Sequence, residues 1–292
     1  MNEIKSVNLH VTDACNYHCK FCFSSGRNCS GPGTIGINRW KEIIADLIID
    51  KGIEKINFVG GEPIMYPHLD GLLSYSKSMG AVTSVVTNGS LVDKGFFVRN
   101  CGIVDWLGLS VDSTDDYTEV MLGRHSKGCR HLENVRTASA LAHDFGVKLK
   151  LNITVNRQCY FEDFSGLIRE LDPDRVKFMQ LSRIAGINDR AYSQLSLTNA
   201  SFEEFRKRHS GIVLSNGSVP VFETEDDISN SYLMIDKSGH IRLDGPNGYS
   251  FKEYDAYWNG DSGFKVDSGK YIKRGGIYEW NTERKGIDDG GQ

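Results

Sequence analysis

Between Val7 and Leu181, short β-branched and apolar runs alternate with longer amphipathic stretches. This alternation constrains the fold most, because strands joined by helix-length crossovers pair in parallel. The pattern predicts strands over 7–12, 55–59, 82–87, 106–111, 148–155 and 175–181. Helical spacing covers 38–50, where Trp40, Ile43, Ile44, Leu47 and Ile48 share a face, and also 68–78, 131–144 and 162–170. Six βα units are fewer than the eight of a complete barrel. After about residue 185 the alternation fades. A helix is expected over 199–209 and a hairpin, 231–236 with 240–243, around Lys237-Ser238-Gly239, followed by a stretch rich in Gly, Tyr and charge. We therefore expect residues 1–185 to form the βα unit and 186–292 an extension that covers its mouth.

The 292 residues are 39% hydrophobic and 25% charged, with a formal net charge of −4, so no field suited to a polyanionic nucleic acid surrounds the chain. No apolar stretch reaches the ~18–20 residues of a membrane span, and Met1 to Lys5 hold no signal-peptide core. A cytoplasmic protein, expected to be monomeric, fits these features. Seven cysteines, an odd number, suit metal ligands plus loose thiols better than a disulfide framework.

Three of those cysteines stand directly after the first expected strand, as Cys15-x3-Cys19-x2-Cys22. Three thiolates on a four-iron cluster leave one iron open, whereas clusters that only carry electrons use four cysteines. A zinc site is the competing reading. Zinc takes four ligands, often in two separated pairs; no second pair follows, and His18 is too close to Cys19 in the chain to share its metal readily. The cysteine run resembles the signature of the radical S-adenosylmethionine (SAM) superfamily. That resemblance implies a 4Fe–4S cluster on Cys15, Cys19 and Cys22, SAM on the open iron, reductive cleavage to a 5′-deoxyadenosyl radical, and a partial (β/α)6 TIM-type barrel. Gly60-Gly61-Glu62-Pro63 after the second strand strengthens it, as glycines allow close backbone approach. The polar clusters Thr87-Asn88-Gly89-Ser90 and Ser110-Val111-Asp112-Ser113 read alone as turns. At successive strand ends they suggest a polar rim.

Across 6–280 the chain is similar to one family in particular, the viperins. Ser6-Val7-Asn8, Cys15-Asn16-Tyr17, Glu54-Lys55-Ile56-Asn57-Phe58, Asn88-Gly89-Ser90-Leu91, Gly123-Arg124, Lys150-Leu151-Asn152, Val176-Lys177 and Ser231-Tyr232-Leu233 carry the match. Lys273-Arg274-Gly275-Gly276 with Tyr278 and Trp280 is its most discriminating part. The resemblance implies SAM contacts from Gly60, Gly61, Glu62, Ser110, Arg124 and Asn152. It implies nucleotide contacts from Asn8, Lys55, Lys150, Lys177, Lys273 and Arg274, and a proton-relay role for Tyr232. Further implications are a nucleoside triphosphate substrate converted to its 3′-deoxy-3′,4′-didehydro analogue, an RNA chain terminator, a role in antiviral (anti-phage) defence, and an external one-electron reductant of flavodoxin or ferredoxin type. A negatively charged chain must gather cations locally to hold a triphosphate, and the alternating run Lys148-Leu149-Lys150-Leu151-Asn152 offers them to a barrel mouth.

Departures from the animal viperins leave the base open among CTP, UTP and GTP. Leu243-Asp244-Gly245 replaces their Asn-Cys-Arg, and Val221 to Asp227 is unusually acidic. Their N-terminal amphipathic membrane helix is not recognisable in this sequence, so no membrane attachment is expected. The acidic run reads as contacts to base N–H groups or as a solvated loop. Cys29, Cys101, Cys129 and Cys159 form no second cluster motif, which weighs against a peptide-maturing radical SAM enzyme. A radical SAM enzyme of another small molecule and a non-catalytic iron–sulfur sensor are the remaining alternatives.

Overall fold

In the computed structural model, which describes residues 3–24, 33–126, 130–245, 247–260 and 265–280, all strands join one sheet. The first half runs β1 (Ser6–His10), α1 (Ile37–Ile49), β2 (Lys55–Val59), α2 (Leu69–Ser78), β3 (Val82–Thr87), α3 (Lys94–Arg99), β4 (Trp106–Ser110), α4 (Asp116–Leu122), α5 (His131–Asp144), β5 (Lys148–Val155), α6 (Ser165–Leu171) and β6 (Arg175–Gln180). Then follow α7 (Asp189–Leu195), α8 (Asn199–His209), β7 (Val221–Glu223), α9 (Glu225–Ile228), β8 (Met234–Ile235), β9 (Ile241–Gly245), β10 (Gly248–Lys252), α10 (Tyr254–Trp258) and α11 (Ser268–Lys273).

The order across the sheet is β10-β9-β8-β1-β2-β3-β4-β5-β6-β7. Strands β1 to β7 are parallel, β8 pairs parallel to β1, and β9 and β10 return antiparallel. This is the expected α/β architecture, a partial barrel of six βα units with a C-terminal α+β extension. The hairpin around Lys237-Ser238-Gly239 is β8–β9. The sequence reading missed β7, whose three residues sit inside the acidic run, and β10.

Side-chain alternation sets the layers. Val7 and Leu9, Ile56 and Phe58, Leu107 and Leu109, Leu149, Leu151 and Ile153, and Val176 and Phe178 face outward into one core with Trp40, Ile43, Ile44, Leu47, Leu72, Leu73 and Val135 of the helices. Their neighbours point the other way, into the barrel: Asn8 and His10, Lys55 and Asn57, Ser110, Lys150, Asn152 and Thr154, and Lys177 and Met179. The strands are thus apolar toward the helices and polar toward the interior. Among the described residues no helix is long and apolar enough to cross a membrane.

Short helices that the periodicity did not reveal begin at caps. The Asp93 side chain accepts from Phe96 N, Asp115 from Thr118 N and Asp267 from Lys270 N, and Thr224 with Asp227 forms a capping box. Each cap satisfies an N–H that the first turn leaves unpaired, worth about 1 kcal/mol.

Candidate active site

A cavity of about 280 Å³ runs along the barrel interior. Cys15, Cys19 and Cys22 line it at the C-terminal ends of the strands, just beyond β1. The cysteine loop is fixed from three sides. Gly61 N donates to Thr12 O at 2.6 Å and Glu62 N to Ala14 O at 2.7 Å. His18 N donates to Gly123 O at 3.1 Å and Lys20 N to Leu122 O at 2.9 Å, beyond α4. Asn88 Nδ2 donates to Asn16 Oδ1 at 2.9 Å, and Asn16 Nδ2 to Ser90 Oγ at 2.8 Å.

This geometry gives Gly60 and Gly61 a different reason from the one the sequence suggested. A Cβ on either would collide with the Thr12 or Ala14 carbonyl of the cysteine loop, and Gly60 has φ +153°. They are small because protein backbone, rather than only a ligand, lies against them. The N–H groups of Gly61 and Glu62 are consumed there, while Gly60 and Gly61 still line the cavity. The Glu62 side chain does not line it. It is buried and accepts from Thr87 Oγ1 at 2.7 Å, Asn88 N at 2.9 Å and Ile64 N at 3.2 Å, locking the glycine loop to the end of β3.

Arg124 also lines the cavity and is buried, which excludes the surface charge that an isolated Arg usually is. Its Nε pairs with Asp112, whose other oxygen accepts Thr154 N at 2.7 Å. Glu119 accepts the N–H groups of Asp112 and Ser113 at 2.7 and 2.9 Å; burial, then the Asp112 carboxylate, pushes it up to about 8. His131 Nε2 donates to Ser110 O at 2.9 Å and its Nδ1 accepts from Tyr17 OH at 3.3 Å, linking β4 to the cysteine loop. Burial, then Arg124, lowers His131 to about 3, so it is neutral. Ser110 and Asn152 line the cavity beside Arg124.

Do these residues fit a 4Fe–4S cluster and SAM? Burial raises the Cys19 thiol to about 12, with Arg124 opposing. A thiol so reluctant to ionise needs a metal to replace its proton. Three thiols that line one cavity suit a four-iron cluster, each thiolate addressing a separate iron. Gly60, Gly61 and Arg124 line the cavity beside the cysteines, and a guanidinium suits a carboxylate such as that of SAM. The residues fit.

The opposite, N-terminal end of the barrel holds cations. Lys55 opens β2, Arg175 opens β6, and Lys150 and Lys177 follow two residues into their strands. Lys150 and Lys177 were expected at the barrel mouth; with Lys55 they lie at the other end, because the strand starts, not the strand ends, carry them. One cation of this group, Arg175, was missed. Its guanidinium sits 3.8 Å over the Tyr278 ring and donates to Gly275 O at 2.8 Å. Only its strand-start position, two residues before Lys177, signalled it.

Lys55 donates to Tyr278 OH at 2.6 Å and lies 4.3 Å from the Trp106 ring centroid. Burial, then Lys150 and Arg175, lowers its pKa. Burial, then Arg175, lowers Lys150 to about 8. Lys177 pairs with the fully buried Glu223, which also accepts from Tyr232 OH at 2.6 Å; burial lowers Lys177 while Glu223 opposes. Arg274 stacks 3.5 Å over the Tyr232 ring and donates to Ser231 O at 2.9 Å. Burial holds the Tyr232 phenol well above its usual pKa, hence protonated.

Thus Val221 to Asp227 is not a solvated loop. Glu223 is a buried counter-ion, Glu225 accepts from Arg183 N and Tyr192 OH, and Asp227 caps α9. Asn8 lines the cavity and accepts from Asn57 Nδ2 at 3.1 Å. Lys273, like Glu62, does not line the cavity: its side chain is 69% exposed and pairs with Asp227 at 2.6 Å. Cys101 is exposed and Cys159 buried, while Cys29 and Cys129 lie outside the described residues.

The extension covers both ends. Ala191 and Leu195 of α7 pack with Phe21 and Leu122 near the cysteines, and Tyr249 OH of β10 donates to Phe23 O at 2.7 Å. The tail instead closes the cation end: Trp280 packs on Val82 and Trp106, and Trp106 Nε1 donates to Trp280 O at 3.1 Å. Gly275, at φ +69°, turns the chain after α11, and a Cβ on Gly276 would strike Tyr271.

The radical SAM superfamily model matches residues 9–171, more than half the chain. A Thermoplasmatales archaeon (strain ISO4-H5) protein named S-adenosylmethionine-dependent nucleotide dehydratase is 36% identical over 96% of this chain and 98% of its own length. The chain belongs to this nucleotide dehydratase family, the viperins. A relative with the same name from Flammeovirga pacifica is 30% identical over 96% of this chain and 97% of its own, and the RSAD2 protein of Siniperca chuatsi is 31% identical over 94% and 79%. Among solved structures, Streptococcus suis SuiB bound to S-adenosylmethionine superposes with a TM-score of 0.67 over 89% of this chain and 66% of SuiB, at 18% identity, and anSMEcpe with bound AdoMet at 0.61 over 82% and 74%, at 15% identity. These two show the fold.

Proposed function

We propose that the protein dehydrates a ribonucleoside triphosphate, CTP, UTP or GTP, to its 3′-deoxy-3′,4′-didehydro analogue. The observation that carries this reading is one cavity lined by three thiols at one end and by Lys55, Lys150, Lys177 and Arg274 at the other, with Arg175 behind Tyr278 and Gly275 of that wall. The net reaction removes H4′ as a hydrogen atom and the 3′ hydroxyl as water, with uptake of one proton and one electron. Cys15, Cys19 and Cys22 would hold the cluster, with Gly60, Gly61, Ser110, Arg124 and Asn152 around SAM; bound together, these cofactors supply the 5′-deoxyadenosyl radical that takes H4′.

The chain's own residues bind and orient. The cations hold the polyphosphate at the strand starts, which sets the ribose between them and the cysteines. Burial and mutual repulsion lower the pKa values of Lys55, Lys150 and Lys177, so their charge is disfavoured until an anion arrives. Arg274 grips Tyr232 and the phosphates from the tail side, and the aromatic seal of Tyr278 and Trp280 keeps water away. Tyr232, protonated and hydrogen-bonded to Glu223, is positioned to give a proton near the ribose. A product without a 3′ hydroxyl would terminate RNA chains, consistent with anti-phage defence. We further take the protein to act as a cytoplasmic monomer reduced by a flavodoxin or ferredoxin.

The test is anaerobic turnover of the reconstituted protein with SAM, a strong reductant and CTP, UTP, GTP or ATP in separate reactions, read by mass spectrometry. One triphosphate should stimulate 5′-deoxyadenosine formation and lose the mass of water. SAM binding without any nucleotide-dependent cleavage would reject the nucleotide assignment.

A further inference from the structure

The cavity is lined by Lys55, Lys150, Lys177, Arg124 and Arg274, yet also by one carboxylate, Asp244. A carboxylate repels phosphate, so it calls for a ligand group that donates N–H instead. Resting on the nucleotide reading above, we propose that Asp244 selects the base: it accepts from the amino group of cytosine, guanine or adenine and turns uracil away.

Asp244 lies near the end of β9, opposite Tyr249 of β10, and is only 7% exposed. One oxygen accepts Asn230 N at 3.2 Å; the other, Oδ1, is buried with no hydrogen-bond partner. Among the described residues it forms no ion pair; Arg242, in the same strand, gives its Nη2 to His10 at 2.8 Å. A buried carboxylate with one oxygen unpartnered is costly, and burial raises the Asp244 pKa, with the Asn230 and Asp244 N–H groups and then Arg242 and Arg274 opposing. A donor from a ligand would relieve that cost. Ile228, Met234 and Tyr249 line the same cavity and offer apolar faces for a base ring.

The chemistry discriminates. An ionised carboxylate only accepts. Cytosine, guanine and adenine each present an amino group, whereas uracil presents carbonyl oxygens on both sides of its single ring N–H, so a carboxylate approaching that edge meets acceptors. A site built for a donor rejects an analogue that leaves it unpaired far more strongly than an apolar pocket discriminates by size. An amide in place of the carboxylate keeps an oxygen for Asn230 N, removes the charge and adds a donor for a uracil carbonyl.

The experiment is competition. Reconstituted wild type and Asp244→Asn turn over equimolar CTP, GTP, ATP and UTP, and calorimetry measures binding of each nucleotide to the cluster-loaded protein without reductant. Wild type should favour an amino-bearing base over UTP by about tenfold or more in both readouts. Asp244→Asn should move that ratio at least about tenfold toward UTP, with cluster absorbance and thermal midpoint retained. Asp244→Ala, checked in the same way for folding, should lose discrimination without gaining UTP. A wild type that prefers UTP, or a ratio unmoved in Asp244→Asn while triphosphates are still converted, overturns the role of Asp244 alone. A wild type that neither binds nor converts any triphosphate overturns the nucleotide reading with it.

Discussion

Lys177 shows how much of a residue's function depends on what surrounds it. In sequence it is one lysine among apolar neighbours; in the fold it is a nearly buried cation with one counter-ion, Glu223, and Arg175, Lys150 and Arg274 close enough to disfavour its charge. Replacing Lys177 and Arg274 together with Ala should weaken triphosphate binding by roughly two to five kcal/mol, the usual cost of truncating a buried charged partner. Cluster content and basal SAM cleavage should be spared, and calorimetry with unchanged affinity would remove both from the site. The lysines also set a pH dependence. Lys150, lowered to about 8, is charged below that pH and neutral above it. Lys177 is lowered further, to about 7. Bound phosphate favours the charged forms, so affinity should be greatest below about pH 7 and fall as pH rises through about 7 and 8, with proton uptake on binding in that range. Calorimetry in two buffers of different ionisation enthalpy measures that uptake. Lys150 was legible as a candidate because β5 alternates Lys148-Leu149-Lys150-Leu151-Asn152, a pattern that puts every second residue on the interior face, and Lys177 through the viperin resemblance. Arg175 and Glu223 were not, since a residue at a strand start and one inside an acidic run both look like solvated charge until the tail covers them.

At the level of elements, the site is a set of strand ends tied to one loop. The six main strands and the longer helices followed from periodicity, and several expected boundaries match those observed: β2, β3, β5, α5 and α8 agree at both ends. β7, β10 and the short helices α3, α4, α7 and α9 did not, because three to seven residues carry no periodic signal and are held by caps and neighbours instead. The glycine motif belongs to this scale too. Gly61→Ala puts a methyl group into the Ala14 carbonyl and must push the cysteine loop out of place. The variant should fold, with circular dichroism close to wild type, yet bind clearly less iron and sulfide per chain on reconstitution. Full iron loading would mean that the loop tolerates the displacement. Gly123 is held by the same logic against His18 from the α4 side, where it also adopts φ +86° and ends the helix.

For the whole molecule, the tail joins distant parts of the chain. Residues 274–280 contact the first residues of β2, β3, β4 and β6, closing the end of the barrel that holds the cations. Trp280→Ala removes a buried aromatic and should cost about 3–5 kcal/mol of stability at most, lowering the thermal midpoint. It should weaken triphosphate binding while leaving SAM affinity unchanged, since the SAM-side residues lie at the other end. Equal loss of both affinities would show that the tail acts on the fold in general. By itself the sequence determined the parallel βα architecture, the three cluster cysteines after the first strand and the presence of basic residues on interior-facing positions, because local periodicity and spacing encode these. Tertiary structure alone decided which end of the barrel holds the cations, that Lys273 stays outside, that Glu62 works as a brace, and that Asp244 shares the cavity. Those outcomes depend on contacts between segments as far apart as Lys55 and Tyr278, where burial and neighbouring charge, rather than residue type, set what each side chain can do.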